Sequence, residues 1–171
     1  MSSAIPLPIS MSEYLRSSYE PDCDYVDGII EQRNAGSPEQ VSVERALMKQ
    51  IEQHTGEWGV RAVCDTRVQT SASHVRVADI ALLTPDNRQE KVIESPPVAV
   101  IEILSRGDNV PRHTERLEDF RRMGVKNLWA VDPVVRKGLD ASSGEWRETG
   151  SFAVPESSIR IDLAAVFATL V

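Results

Sequence analysis

The sequence predicts an α/β fold, a mixed β-sheet flanked by helices. Three observations lead there. Residues 37–56 and 111–123 carry apolar side chains at helical spacing. Around them lie short apolar runs of strand length, rich in Val, Ile and Ala. At least two hairpins join neighbouring runs, so antiparallel pairs must accompany the crossovers that helices make.

The elements follow in order. Ser10 suits the N-cap of a short helix with Met11, Tyr14 and Leu15 on one face. Residues 23–33 read as two short strands turned at Asp27-Gly28. Ser37-Pro38 opens a second helix whose stripe is Val43, Leu47, Met48 and Ile51, and Thr55-Gly56 is expected to end it. Strands are expected at residues 59–69, 75–83 and 98–104, the last almost wholly apolar and so buried on both faces. Residues 105–109 read as a loop. Pro111 opens a third helix, which Gly124 stops after Met123. Residues 128–131 form another buried strand closed by Asp132-Pro133, 134–148 a polar hairpin, and 163–170 a closing helix.

A chain of 171 residues with no internal repeat or low-complexity linker is expected to form one domain over residues 1–171. No apolar run is long enough for a membrane span, and the first residues lack the basic head and apolar stretch of a secretory signal. Cys23 and Cys64, with no CxxC pair, read as reduced thiols of a cytoplasmic protein. A net charge of −7 and a pI near 5.0 give no support to tight, non-specific nucleic-acid binding, although a local basic patch could still dock it. The histidines show no zinc spacing, and neither a Ser-His-Asp order nor a glycine-rich phosphate loop is present.

The residue hardest to explain as ordinary core is Glu102, which interrupts Val98-Ala99-Val100-Ile101-Glu102-Ile103-Leu104. A buried carboxylate needs a cation, a metal or a proton. The plain alternative is a buried ion pair with an arginine. Asp79 poses the same question in the preceding strand, and its plain alternative is a strand-end residue capping a turn. If the strands are neighbours, the two acids could converge on one divalent cation, and oxygen-only ligands of that kind suit Mg²⁺ or Mn²⁺. Glu44, on the apolar stripe of the second helix at helical spacing from Leu47, Met48 and Ile51, is a weaker candidate; a flank position in contact with solvent is the simpler reading.

Asp79 is followed by Ile101-Glu102-Ile103-Leu104-Ser105, then Glu115-Arg116-Leu117-Glu118-Asp119-Phe120, Gly124-Val125, Trp129 and Val131-Asp132-Pro133. With Tyr19-Glu20-Pro21-Asp22 and Tyr25-Val26-Asp27-Gly28-Ile29-Ile30-Glu31, this order resembles the Uma-type family of restriction-endonuclease-like bacterial proteins, in the PD-(D/E)xK nuclease superfamily. The resemblance covers nearly the whole chain. It implies a restriction-endonuclease-like mixed sheet and a metal-dependent, endodeoxyribonuclease-like phosphodiester hydrolase. Asp79 and Glu102 would be the ligands of Mg²⁺ or Mn²⁺, the Ile103 carbonyl a further ligand, and DNA the partner. Some superfamily members take an acid from the second helix, where Glu44 lies.

Two positions depart from the family pattern. Leu104 stands where the motif has lysine, and Ala78 where the family usually has proline. The family often carries its lysine in the following helix, one turn before an aromatic; Arg116 holds that place, four residues before Phe120. Arginine cannot serve as a base, yet it can hold a phosphate or neutralise Glu102. The alternative is a catalytically degenerate member acting as a binding or scaffold protein; RNA or a repair intermediate would use the same chemistry. A homodimer through the polar hairpin at 135–147 is a further expectation.

Overall fold

A computed structural model describes residues 7–87, 91–106 and 110–170. The first six residues and residues 107–109 of the expected loop lie outside the described residues.

Helix α1 (Met11–Arg16) starts where expected, the Ser10 hydroxyl accepting from Glu13 N. Strands β1 (Asp24–Val26) and β2 (Ile29–Glu31) form the first hairpin. Asp27 (φ 49°) and Gly28 (φ 87°) make its turn, and a Cβ on Gly28 would come within 3.0 Å of Pro8. Helix α2 (Pro38–Glu52) begins with a capping box in which Ser37 and Gln40 satisfy each other's backbone N–H groups. It stops just before Thr55-Gly56. Thr55 begins a separate turn, α3 (Thr55–Trp58), which the left-handed Gly59 ends.

Strands β3 (Arg61–Gln69), β4 (His74–Leu83) and β5 (Ala99–Ile103) follow as an antiparallel series. Helix α4 (Val110–Met123) then crosses over so that β6 (Asn127–Asp132) lies parallel to β5. The expected polar hairpin is β7 (Lys137–Asp140) with β8 (Arg147–Thr149). A further hairpin, β9 (Ser151–Ala153) with β10 (Arg160–Asp162), was not anticipated. Helix α5 (Leu163–Ala168), capped by Asp162, closes the chain. Among the described residues the main sheet runs β2-β1-β4-β5-β6-β7-β8, with β3 on the other edge of β4.

Each face of the sheet buries its own apolar layer. On one side Val43, Leu47 and Ile51 of α2 and Leu163 and Val166 of α5 pack on Ile80, Leu82, Ile101 and Trp129. On the other, Leu117 and Phe120 of α4 pack on Ala81, Leu83, Val100 and Leu128. The extra hairpin has a packing role: Phe152 of β9 stacks on Trp129 with ring centroids 4.9 Å apart.

Candidate active site

The site arises where the sheet comes apart. Both β1 and β5 pair antiparallel with the edge of β4 that β3 leaves open, β1 at its start (Tyr25↔Val75) and β5 at its end (Ile80↔Ile101). Between them, on that edge, Val77 has no strand partner. Side chains satisfy its backbone instead: Val77 N donates to Asp24 Oδ1 at 2.9 Å, and Val77 O accepts from Arg116 Nη2 at 2.7 Å. A buried peptide group left unpaired is costly, so charged side chains are built into this gap.

The strands change phase at the same place. Ile80 and Leu82 of β4 face α2, while Ala78, Ala81 and Leu83 face α4. In β3, Ala62 and Cys64 belong with the α2 layer, but Val63 and Val68 belong with the α4 layer. Strict alternation therefore fails at Asp65 and Asp79, which lie opposite each other, and the ladder skips from Cys64↔Ile80 to Thr66↔Ala78. Asp65 there adopts φ 45°. The irregularity turns Asp79 toward the end of β5, where its Oδ2 accepts from Ile103 N at 2.7 Å.

Glu102, in contrast, is sealed. Its side chain is 2 % exposed and accepts from Nε and Nη2 of Arg116, the latter at 3.0 Å. Burial pushes the Glu102 carboxyl up, to about 7, against the lowering pull of Arg116 and with the charge of Asp79 adding to the rise. Arg116 also donates through Nη1 to Asp24, which is fully buried. Burial opposes the charge on Arg116, but Glu102 and Asp24 outweigh it and hold the guanidinium above its ordinary range. Asp24 likewise is held below the usual carboxylate range, Arg116 and the Val77 N–H overcoming its burial.

A chain of charge leads away from this centre. Arg76 Nη1 reaches Asp24 at 3.1 Å and its Nε reaches Asp119 at 2.6 Å; His74 Nδ1 meets Asp119 at 2.9 Å and its Nε2 meets Asp27 at 3.2 Å. Asp24 and Arg76 were not singled out in the sequence. The signal was present: each is a charge inside an apolar strand, as Glu102 is.

Arg33, just beyond β2, also went unremarked. Its Nη2 donates to Asp79 Oδ1, and its Nη1 to Asp65 Oδ1 at 3.1 Å. Gln40 Nε2 donates to Ile103 O at 3.0 Å. Asp79, Glu102, Ile103, Arg33 and Arg116 all line one small cavity of about 60 Å³, together with Arg112 and His113. Glu44 does not simply face solvent. It is half-buried and lines an adjoining cleft of about 280 Å³ with Asp65 and Asp79. Burial raises its carboxyl, and the charges of Asp65 and Asp79 raise it further. Cys64 beside it is pushed up to about 12 by burial and the Glu44 charge, and both cysteines are free thiols.

The donor set fits a hard divalent cation in kind: carboxylates and a carbonyl, all oxygen, facing one cavity. Among the described residues no group of three or more acidic, His or Cys side chains is arranged to hold a metal. Each oxygen donor is instead bonded to an arginine, an amide or a backbone N–H of the protein.

A mixed sheet flanked by helices, with one helix crossing over between the parallel strands β5 and β6, is a restriction-endonuclease-like fold. The chain belongs to the Uma2 family, described as "Putative restriction endonuclease", whose model matches residues 11–157. A solved structure described as "a putative nuclease belonging to DUF820" from Anabaena variabilis superposes with a TM-score of 0.78 at 19% identity, covering 94% of this chain and 98% of that one. It establishes the fold. A cryo-EM DrdV–DNA complex overlaps with a TM-score of 0.40 at 11% identity, over 75% of this chain and 12% of that one. No curated protein matches the chain. No helix among the described residues is long and apolar enough to cross a membrane.

Proposed function

We propose that the protein is a divalent-metal-dependent endodeoxyribonuclease in which Asp79 and Glu102 hold Mg²⁺ or Mn²⁺, with the Ile103 carbonyl as a further ligand. The observation that carries this reading is that both acids, from adjacent strands, line the same cavity at the break in the sheet. Such a cation supplies Lewis-acid neutralisation of the phosphodiester and lowers the pKa of a water beside it. The protein's own groups do the rest. The Ile103 N–H fixes one oxygen of Asp79, and Arg33 Nη2 bonds the other. Arg116 keeps a permanent positive charge at the cavity wall, where it offsets charge gathering on the phosphate in the transition state. It takes no proton, so no lysine-type base operates here. Glu44, across the neighbouring cleft from Asp79, is a reserve acid for the same cation.

A second reading has its own observation. Both Asp79 and Glu102 already have guanidinium partners, as in a degenerate member that binds without cutting. Incubating supercoiled plasmid with the protein and Mn²⁺ separates the two. The nuclease reading expects nicking that chelation stops and that Asp79→Asn and Glu102→Gln each remove while keeping the fold. Equal nicking by both variants, or none by the wild type, defeats it. The free thiols suit a reducing compartment such as the cytoplasm. Pairing of two copies through the edge strand β8 would set two sites on one duplex. Light scattering at micromolar concentration tests that dimer.

A further inference from the structure

The two arginines at the site are held very differently. Arg116 is 5 % exposed, and its partners Asp24 and Glu102 are 0 % and 2 % exposed. Arg33 bridges Asp79 (17 % exposed) to Asp65, which is 61 % exposed. Arg33 is itself only 14 % exposed, but on leaving Asp79 it keeps the water-facing carboxylate of Asp65 as a partner, whereas moving Arg116 strands two buried acids. Arg33 also stands at a boundary. It lines both the 60 Å³ cavity that holds Glu102 and the 280 Å³ cleft that holds Glu44 and Asp65.

The two oxygens of Asp79 divide their work. Oδ2 accepts from the Ile103 backbone, and Oδ1 is covered by Arg33 Nη2. A cation reaching Asp79 from the cleft therefore meets the one oxygen that Arg33 occupies. A guanidinium stays protonated in proteins, so the side chain cannot leave as a neutral group. It must move as a cation, and its Nη1 is already bonded to Asp65.

We propose that Arg33 is a built-in occupant of the cation position: its guanidinium neutralises Asp79 until a divalent cation takes that carboxylate, then turns to Asp65 and to the phosphate of a nucleic acid entering the cleft. This rests on the metal-dependent reading above. Arg33 and the metal compete for Asp79, and Arg33 and the metal cooperate on the phosphate.

Calorimetric titration of Mn²⁺ tests the competition in the wild type, Arg33→Ala and the size-conserving Arg33→Gln. Both variants are expected to bind Mn²⁺ about three- to tenfold more tightly, the effect of one partly exposed ion pair. A direct competitor acts regardless of salt, so the gain should persist between about 0.1 and about 0.5 M NaCl, where a distant charge would be screened. In Ca²⁺, a fluorescein-labelled duplex should bind the variants more weakly than the wild type, although they bind metal more tightly. Unchanged or weaker Mn²⁺ affinity in both variants, a gain that vanishes at high salt, or undiminished duplex affinity overturns the role of Arg33. If neither the wild type nor the variants bind Mn²⁺, the metal-dependent reading beneath it falls too; if all three bind alike, only this inference does.

Discussion

Replacing Arg116 with alanine removes one cation and leaves two acids behind. Glu102 and Asp24 are both essentially sealed from solvent, and Val77 O loses its donor as well. Breaking a buried pair from one side costs about 3–5 kcal/mol. For a chain of this size each kcal/mol lowers the melting temperature by about 2–4 °C, so a fall of about 6–20 °C is expected. The loss should depend on pH. Glu102 sits near 7 with Arg116 present, because burial dominates. Without the guanidinium its carboxyl rises further and takes up a proton, which relieves the stranded charge. The folded pKa then lies above the unfolded value, so the variant binds more protons folded than unfolded and loses stability as pH climbs through that window. Scanning fluorimetry at pH 6 and pH 8 should show the larger deficit at pH 8. Adding Glu102→Gln to Arg116→Ala should recover part of the loss at pH 8, because a neutral amide needs no cation. A deficit under about 2 °C, equal at both pH values, would mean that the side chain is not the buried counter-charge of this centre.

Three other expectations follow from the same geometry. Arg116→Lys keeps the charge and should retain plasmid cleavage, whereas Arg116→Ala should lose about a hundredfold or more in rate; equal rates in the alanine variant and the wild type remove Arg116 from the chemistry. Burial opposes protonation of His74, but its bonds to Asp119 and Asp27 outweigh this and raise it above its ordinary value. Its contribution to stability is therefore full below the unfolded pKa near 6.5 and fades as pH rises through the higher folded value; His74→Gln should flatten the melting temperature between about pH 6 and 9, and an unchanged slope refutes it. A Cβ on Gly138 in β7 would lie 2.0 Å from Leu163 and 3.0 Å from Thr149 O, so Gly138→Ala should cost about 1–3 kcal/mol by denaturant melts, and a silent substitution would contradict that packing.

The order of large elements was legible because apolar periodicity is strong where an element is buried. β5 and β6 are apolar on both faces, and α2 shows its stripe and its Ser37-Pro38 start. The extra hairpin was not, because β9 and β10 each bury one large side chain, Phe152 and Ile161, too little for a periodic signal. At the candidate site, Asp79 and Glu102 stood out as acids in apolar strands. Arg116, the partner of Glu102, was legible from its place four residues before Phe120; Arg33 was not, since it follows a two-strand hairpin and approaches Asp79 across 46 residues of sequence. The half-burial of Glu44 agrees with its spacing on the α2 stripe, but the cleft it shares with residues 33–36 is formed across the chain and is not legible in α2 alone. The change of strand phase at Asp65 and Asp79 is likewise a property of two strands together.

The proposed role of Asp79 and Glu102 is to hold one divalent cation between them. A crystal structure of the protein soaked in Mn²⁺, read by anomalous scattering, tests it most directly. The account predicts a single strong peak between the two carboxylates and near Ile103 O, with Arg33 withdrawn from Asp79. An unoccupied cavity with both arginine pairs intact at saturating Mn²⁺ would contradict it.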